Sequence, residues 1–265
     1  MIDELRGCID YDEFGTGTTL VLVPGSCSTG AAWRPVIANW NSEIRCVTTS
    51  LLGYGGTAER RTARDPSISH EAEMLESVIR RAGGPVHLVG HSFGGLVALA
   101  VALRKQVDLA SLVVIEAPAA AVLRDNGESG FYNDFREMTD AYFAAFNDGD
   151  AEAIATMIDF YGGAGTFASL PPRVRAYSAE TTPVNILDWA SAYGFSLPGA
   201  LLAAVEIPTL ILCGGASHPA VRRANALLSE FMRRAAFVMV EGASHFMIST
   251  HAIQVSRLIV EQCGG

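Results

Sequence analysis

No secretion or membrane signal is visible in the chain, and none is expected to act. Met1 to Phe14 holds Asp3, Glu4, Arg6, Asp10, Asp12 and Glu13, so no signal-peptide apolar core is present. The strongest apolar run, Leu96 to Leu103, falls far short of the ~20 residues that span a bilayer and reads as a buried helix. The five cysteines (Cys8, Cys27, Cys46, Cys213, Cys263) are odd in number, scattered and without a CxxC pair. That spacing argues against a disulfide framework and a zinc site, and makes a reducing cytoplasm the expected setting. No HExxH or similar metal spacing occurs, so no metal is expected. No lysine follows Gly53-Tyr54-Gly55-Gly56 as a phosphate loop would require, so those glycines read as a turn. Basic residues are outnumbered, 19 against 28 acidic, for a net charge of −9. Such a surface repels phosphate backbones and anionic head groups, which excludes nucleic acid and membrane as main partners. Arg60, Arg61 and Arg64 accordingly read as a solvated surface run. There are no repeats and no low-complexity tracts.

What the chain has is apolar material: 49% of its 265 residues are hydrophobic and 18% charged, enough for one large α/β core. Short β-rich runs alternate with helical stretches, the pattern of a mostly parallel sheet flanked by crossover helices. Strands are expected at Thr19–Val23, Arg45–Thr49, Val86–Val89, Leu112–Ile115, Thr209–Cys213 and Phe237–Val240. Met74, Leu75, Val78 and Ile79 set a helical period over Ser69–Ala82, stopped by Gly83-Gly84-Pro85. Further helices are expected over Phe93–Lys105 and Val255–Cys263. From about Ala119 to Ala203 the alternation stops. This stretch reads as mostly helical, with Asp150 placed to cap a helix running to Ile158, and it holds 13 of the 22 aromatic residues. The expected division is a core of 1–118 and 204–265, with a helical cap at 119–203. Some of its aromatics would form the insertion's own core and others would line a substrate cavity. Trp33 and Trp40 read as packing residues.

Gly90-His91-Ser92-Phe93-Gly94 fits G-x-S-x-G and lies between a strand and a helix, the context that gives the motif meaning. A serine on so tight a turn needs small neighbours, and the following helix aims its free N–H groups and positive dipole end at the serine oxygen. Ser92 is the candidate nucleophile. A hydroxyl attacks poorly until a base takes its proton. Of the six histidines, His245 is best placed, in the loop after the last strand, near the sheet edge where the serine turn opens. His218 is its rival. His251 reads as a surface residue, His70 as a helix start, His87 as a strand residue and His91 as packing beside the serine. An acyl-transfer site also needs donors for the oxyanion. The backbone N–H of Phe93 is one, and the loop Pro24-Gly25-Ser26-Cys27 should supply the second through Ser26. Gly25 allows close approach, and Cys27 fills space.

Leu22-Val23-Pro24-Gly25, Gly53-Tyr54-Gly55, Gly90 to Gly95, Pro208 to Leu212 and Gly242-Ala243-Ser244-His245 stand in order across nearly the whole chain. Together they resemble the α/β-hydrolase superfamily. Ile115-Glu116-Ala117-Pro118 and Phe160 to Gly165 are similar to a bacterial subgroup of mostly uncharacterised hydrolases with a serine nucleophile and a helical cap. The resemblance implies a Ser–acid–His triad, the cap, and no cofactor. Two departures stand out. The family's usual His-Gly in the oxyanion loop is here Pro24-Gly25. The aspartate expected after the Thr209–Cys213 strand is missing, because the chain reads Gly214-Gly215-Ala216-Ser217-His218-Pro219. Glu116, at the end of the preceding strand, is the expected substitute, since some family members take their acid there and a buried carboxylate needs a partner. Ser217 or His218 orienting His245, or a bare Ser–His dyad, are the alternatives. The other reading of Glu116 is that it holds the base of the cap through hydrogen bonds.

The leading expectation is a hydrolase acting on a small, largely apolar carboxylic ester or related acyl bond. The same site would also serve C–C bond hydrolysis, perhydrolysis or cofactor-free oxygen chemistry. A ligand sensor with a degenerate triad is the alternative from a different class. A small molecule is the expected partner, with a homodimer left open.

Overall fold

A computed structural model describes residues 1–4, 7–40 and 43–264. Two short strands, β1 (Ile2–Glu4) and β2 (Gly7–Ile9), pair antiparallel at the N-terminal end. Among the described residues, the main sheet has seven strands: β3 (Asp12–Phe14), β4 (Thr18–Val23), β5 (Ile44–Thr48), β6 (Val86–His91), β7 (Leu109–Ile115), β8 (Thr209–Gly214) and β9 (Ala235–Val240). Their spatial order is β3-β5-β4-β6-β7-β8-β9, with only β3 antiparallel to its neighbour.

Alternation along each strand divides the core in two. Val21, Val23, Leu88, Leu112 and Val114 face the helices Ser69–Ala82 and Phe93–Arg104, where Met74, Leu75, Leu96 and Val97 pack against them. Leu20, Leu22, Val89, Val113 and Ile115 face the other way, onto Trp33, Val36, Val255 and Ile259. Trp33 packs helix against sheet as its sequence context implies, and the closing helix is Ala252–Gln262. No helix among the described residues is long and apolar enough to cross a membrane.

Seven helices fill the chain between β7 and β8, from Ala120–Asp125 to Gly199–Leu202. Their buried Phe135, Tyr142, Tyr161 and Trp189 belong to the same apolar cluster as the sheet's first face. The helix expected from Asp150 to Ile158 is displaced: it spans Ala155–Gly162. Asp150 Oδ1 accepts from the Glu152 N–H at 2.9 Å, but the next turn closes on three-residue bonds, Ala153 N–H to Asp150 O and Thr156 N–H to Ala153 O. That tighter turn postpones the α-helix.

The arginine run departs from expectation. Arg64 is exposed, but the Arg61 side chain is fully buried and that of Arg60 nearly so. Arg61 donates to Asp188 Oδ1 at 2.7 Å and to Glu59, and lies 3.3 Å from Glu71 Oε1. A guanidinium is driven inside only where acidic groups compensate it, and one of these, Asp188, lies 127 residues along the chain. Burial is the main cause that pushes the Glu71 carboxyl up to about 8, with Asp188 and Glu59 adding to it against the pull of Arg61. At neutral pH it therefore holds a proton that the unfolded chain would release above pH ~4.5. The folded state binds the extra proton, so this group's contribution to stability declines as pH rises from ~4.5 to about 8. Glu71→Gln, a permanent neutral mimic, is expected to gain stability relative to the parent across that window, by up to about 1.4 kcal/mol per pH unit. Urea unfolding at pH 5.5, 7 and 8.5 measures it. A constant difference would mean that Glu71 is ionised throughout.

Candidate active site

The turn that carries Ser92, the candidate nucleophile, is built by steric exclusion. Ser92 sits at φ 55°, ψ −130°, between the end of β6 and the first residue of the Phe93–Arg104 helix. Few side-chain-bearing residues adopt such angles, and they persist only when the surroundings enforce them. A Cβ on Gly94 would lie 2.2 Å from the Pro24 carbonyl oxygen, and one on Gly90 would lie 2.3 Å from that of Gly94. The Ser92 N–H donates to Ile115 O at 2.8 Å, tying the turn to β7.

His245 lies in the loop after β9. Its Nε2 is 2.9 Å from Ser92 Oγ, and its Nδ1 is 3.2 Å from Glu116 Oε2. The ring is buried between Tyr161, stacked at 4.0 Å between centroids, and His91 at 4.9 Å, with the edge of Phe246 at 5.5 Å. His91 does more than pack. Its Nε2–H donates to the His245 carbonyl at 2.8 Å, fixing the backbone that carries the ring. Burial, helped by the neighbouring His245, holds His91 down at about 3, so it stays neutral.

Glu116 directly follows β7, with no exposure and, like Ser92, a left-handed φ, here 53°. Its Oε1 accepts from Cys213 Sγ at 2.9 Å, Gly214 N–H at 2.6 Å and Ser217 Oγ at 2.8 Å. Burial pushes the carboxyl up, but the hydrogen bond and charge of His245, with the Cys213 and Gly214 donors, hold it below its usual value. The group is a carboxylate at neutral pH, an acceptor only. Nδ1 therefore carries the imidazole proton, leaving Nε2 to accept from Ser92. Ser217 thus supports the carboxylate and does not orient His245. His218 caps the Pro219–Phe231 helix, accepting from Ala220 N–H at 3.2 Å, and stacks on Phe160 at 4.1 Å.

The loop Pro24 to Cys27 lies against Ser92: a Cβ on Gly25 would fall 2.7 Å from Ser92 Cβ. Cys27 is the third residue of this site with a left-handed φ, 55°, and burial pushes its thiol up to about 12. The hydroxyl of Ser26 turns away to donate to Asp188 Oδ2 at 2.6 Å. Phe93 opens its helix, where the first N–H groups have no partner within the helix. Sequence reasoning missed Asp188, Arg61 and the Gly214 donor. The one available signal was a carboxylate among apolar residues in Ile186-Leu187-Asp188-Trp189, which says that it is buried but not what it meets. Among the described residues, no three His, Cys, Asp or Glu side chains gather to hold a metal ion.

Because Gly94 abuts a backbone oxygen that no rotamer change can move, Gly94→Ala is expected to cost about 1–3 kcal/mol. Urea denaturation reads it directly. A parental midpoint would show that the Pro24 loop moves freely.

Known proteins resemble this chain in sequence and in fold. The pimeloyl-[acyl-carrier protein] methyl ester esterase of Aliivibrio salmonicida is 33% identical over 101 residues, 38% of this chain and 36% of that protein. The chain thus spans just over a third of the length of that relative. Among solved structures, a hydrolase from Oleispira antarctica superposes with a TM-score of 0.80 at 17% identity, covering 98% of this chain and 95% of the other. An esterase from Exiguobacterium antarcticum gives 0.77 at 15%, covering 97% and 96%. At such identities the two structures speak for the fold alone. The sequence model of the alpha/beta hydrolase family matches residues 20–258, so this chain belongs to the alpha/beta hydrolase family.

Proposed function

We propose that the chain is a serine hydrolase acting on a small, largely apolar carboxylic ester or a related acyl bond. The observation that carries this reading is the continuous hydrogen-bond path from Ser92 Oγ through His245 to Glu116. Ser92 attacks the acyl carbon while His245 Nε2 takes its proton. Glu116 keeps the ring in the required tautomer and stabilises the imidazolium as it forms. The backbone N–H groups of Phe93 and Ser26 receive the oxyanion. His245 then protonates the leaving alcohol, and water repeats the sequence to release the acid.

The preference for an ester leans on similarity to a methyl ester esterase, and comes to this chain by analogy. The apolar preference leans on the aromatic residues beside the imidazole: Tyr161 on its face, Phe246 at its edge and Phe160 next to Tyr161. The ligand-sensor alternative drew its support from the missing aspartate after β8. A carboxylate 3.2 Å from Nδ1 removes that support.

Hydrolysis of p-nitrophenyl acetate and butyrate tests the reading. Ser92→Ala is expected to abolish turnover above background. Glu116→Gln should lower kcat on the order of 10³- to 10⁴-fold, because an amide no longer enforces the tautomer. Undiminished turnover by Ser92→Ala would end the proposal. A Glu116→Gln enzyme with full activity would reduce the site to a Ser–His dyad.

A further inference from the structure

We propose that Asp188 is a positioning residue, through which the helical insertion holds the Gly25–Cys27 loop in the conformation that turns its backbone N–H toward Ser92. The inference rests on the serine hydrolase reading and adds a residue that takes no part in the proton path.

The loop lies directly against the nucleophile, and Cys27 keeps it in a left-handed conformation that must be enforced from outside. Within the loop, Ser28 Oγ donates to Gly25 O at 2.8 Å, which closes a turn, and the weakly bonding Cys27 thiol lies against Thr181 and Tyr54. Ser26 Oγ reaches a fixed point. Asp188, on the Thr182–Gly194 helix, is 2% exposed and accepts from Ser26 and, at 2.7 Å, from the Tyr54 hydroxyl on one oxygen. Its other oxygen accepts from Arg61, itself clamped by Glu59 and the Leu52 carbonyl. The carboxylate is therefore immobile, and a short hydrogen bond from it sets where Ser26 stands. Since Ser26 Oγ is spent on Asp188, the contribution of Ser26 to the oxyanion comes from its backbone. The side chain acts one step removed, by fixing where that backbone sits.

A fluorophosphonate probe tests this without requiring ester turnover. Its reaction forms the Ser92 Oγ–P bond, breaks P–F, releases fluoride and sends the serine proton to His245, while charge grows on the phosphonyl oxygen. Rates are followed by intact-protein mass spectrometry, with KM and kcat for p-nitrophenyl butyrate alongside. Ser26→Ala and Asp188→Asn are expected to slow labelling roughly 10- to 100-fold and to lower kcat alike, with KM within about threefold. Ser26→Thr, which keeps the hydroxyl, restores the rate. Ser191→Ala disturbs the same buried cluster at Arg61 without touching the Gly25–Cys27 loop, and is expected to stay within about threefold of the parent. Should Asp188→Asn fail to fold, Ser26→Ala carries the test, since it leaves the Arg61–Asp188 pair intact. Labelling of Ser26→Ala at the parental rate would overturn the inference alone. So would a Ser191→Ala loss equal to that of Ser26→Ala, which would mark a merely structural cluster. Parental protein that is never labelled at Ser92 would overturn both this inference and the hydrolase reading.

Discussion

The site depends on one charge held out of water. Removing a carboxylate from solvent costs several kcal/mol, and only compensating donors make it tolerable. Glu116 has four: the Cys213 thiol, the Gly214 N–H and the Ser217 hydroxyl on one oxygen, and His245 on the other. Three of these come from the end of β8 and the loop after it, the segment where the family pattern calls for an aspartate. The loop has no carboxylate, and instead supplies donors to one that directly follows the neighbouring strand. Because β7 and β8 pair in parallel with Ile115 opposite Leu212, the two strand ends lie side by side. A carboxyl group at either can therefore reach the same imidazole, with the longer glutamate side chain leaving from β7.

A second buried charge ties the helices between β7 and β8 to the loop after β5 and the Ser69–Ala82 helix. Arg61 lies where the loop after β5, the Ser69–Ala82 helix and the Thr182–Gly194 helix meet, and an acidic side chain from each stands against it, Glu71 holding its proton at neutral pH. An ion pair of this kind contributes little net stability compared with an apolar replacement, but its geometry is demanding because every member must be matched. Here the matched member is Asp188, which faces both Arg61 and Ser26. The cost of assembling the cluster is thus associated with a defined placement of the loop beside Ser92.

Much of the architecture was legible from local pattern. The helical period over Ser69–Ala82 coincides with the helix, because its apolar stripe has only one way to face a core. The strand cores were found as apolar runs, but their ends were read short: β7 begins at Leu109 and β6 continues to His91. Those added residues extend as strands because a neighbour pairs with them, His91 with Ile115 and Val86 with Leu109, whatever their own propensity. Arg61 was misread for the same reason. Its burial is decided by Glu71 and by Asp188, 127 residues away, and no window of sequence contains all three.

By itself, the sequence determined that a serine would stand on a strained turn between strand and helix. Glycines at Gly90 and Gly94 are a local steric requirement, and the alternation of apolar runs dictates the layers. It also brought His245 and Glu116 into consideration by their places after strands. Only the tertiary structure decided that Ser217 bonds to Glu116 and not to His245, that His91 holds the His245 carbonyl, and that Asp188 reaches Ser26. Hydrogen bonds require partners within about 3 Å at defined angles, and for groups a hundred residues apart that distance is a property of the packed sheet and helices, not of the chain.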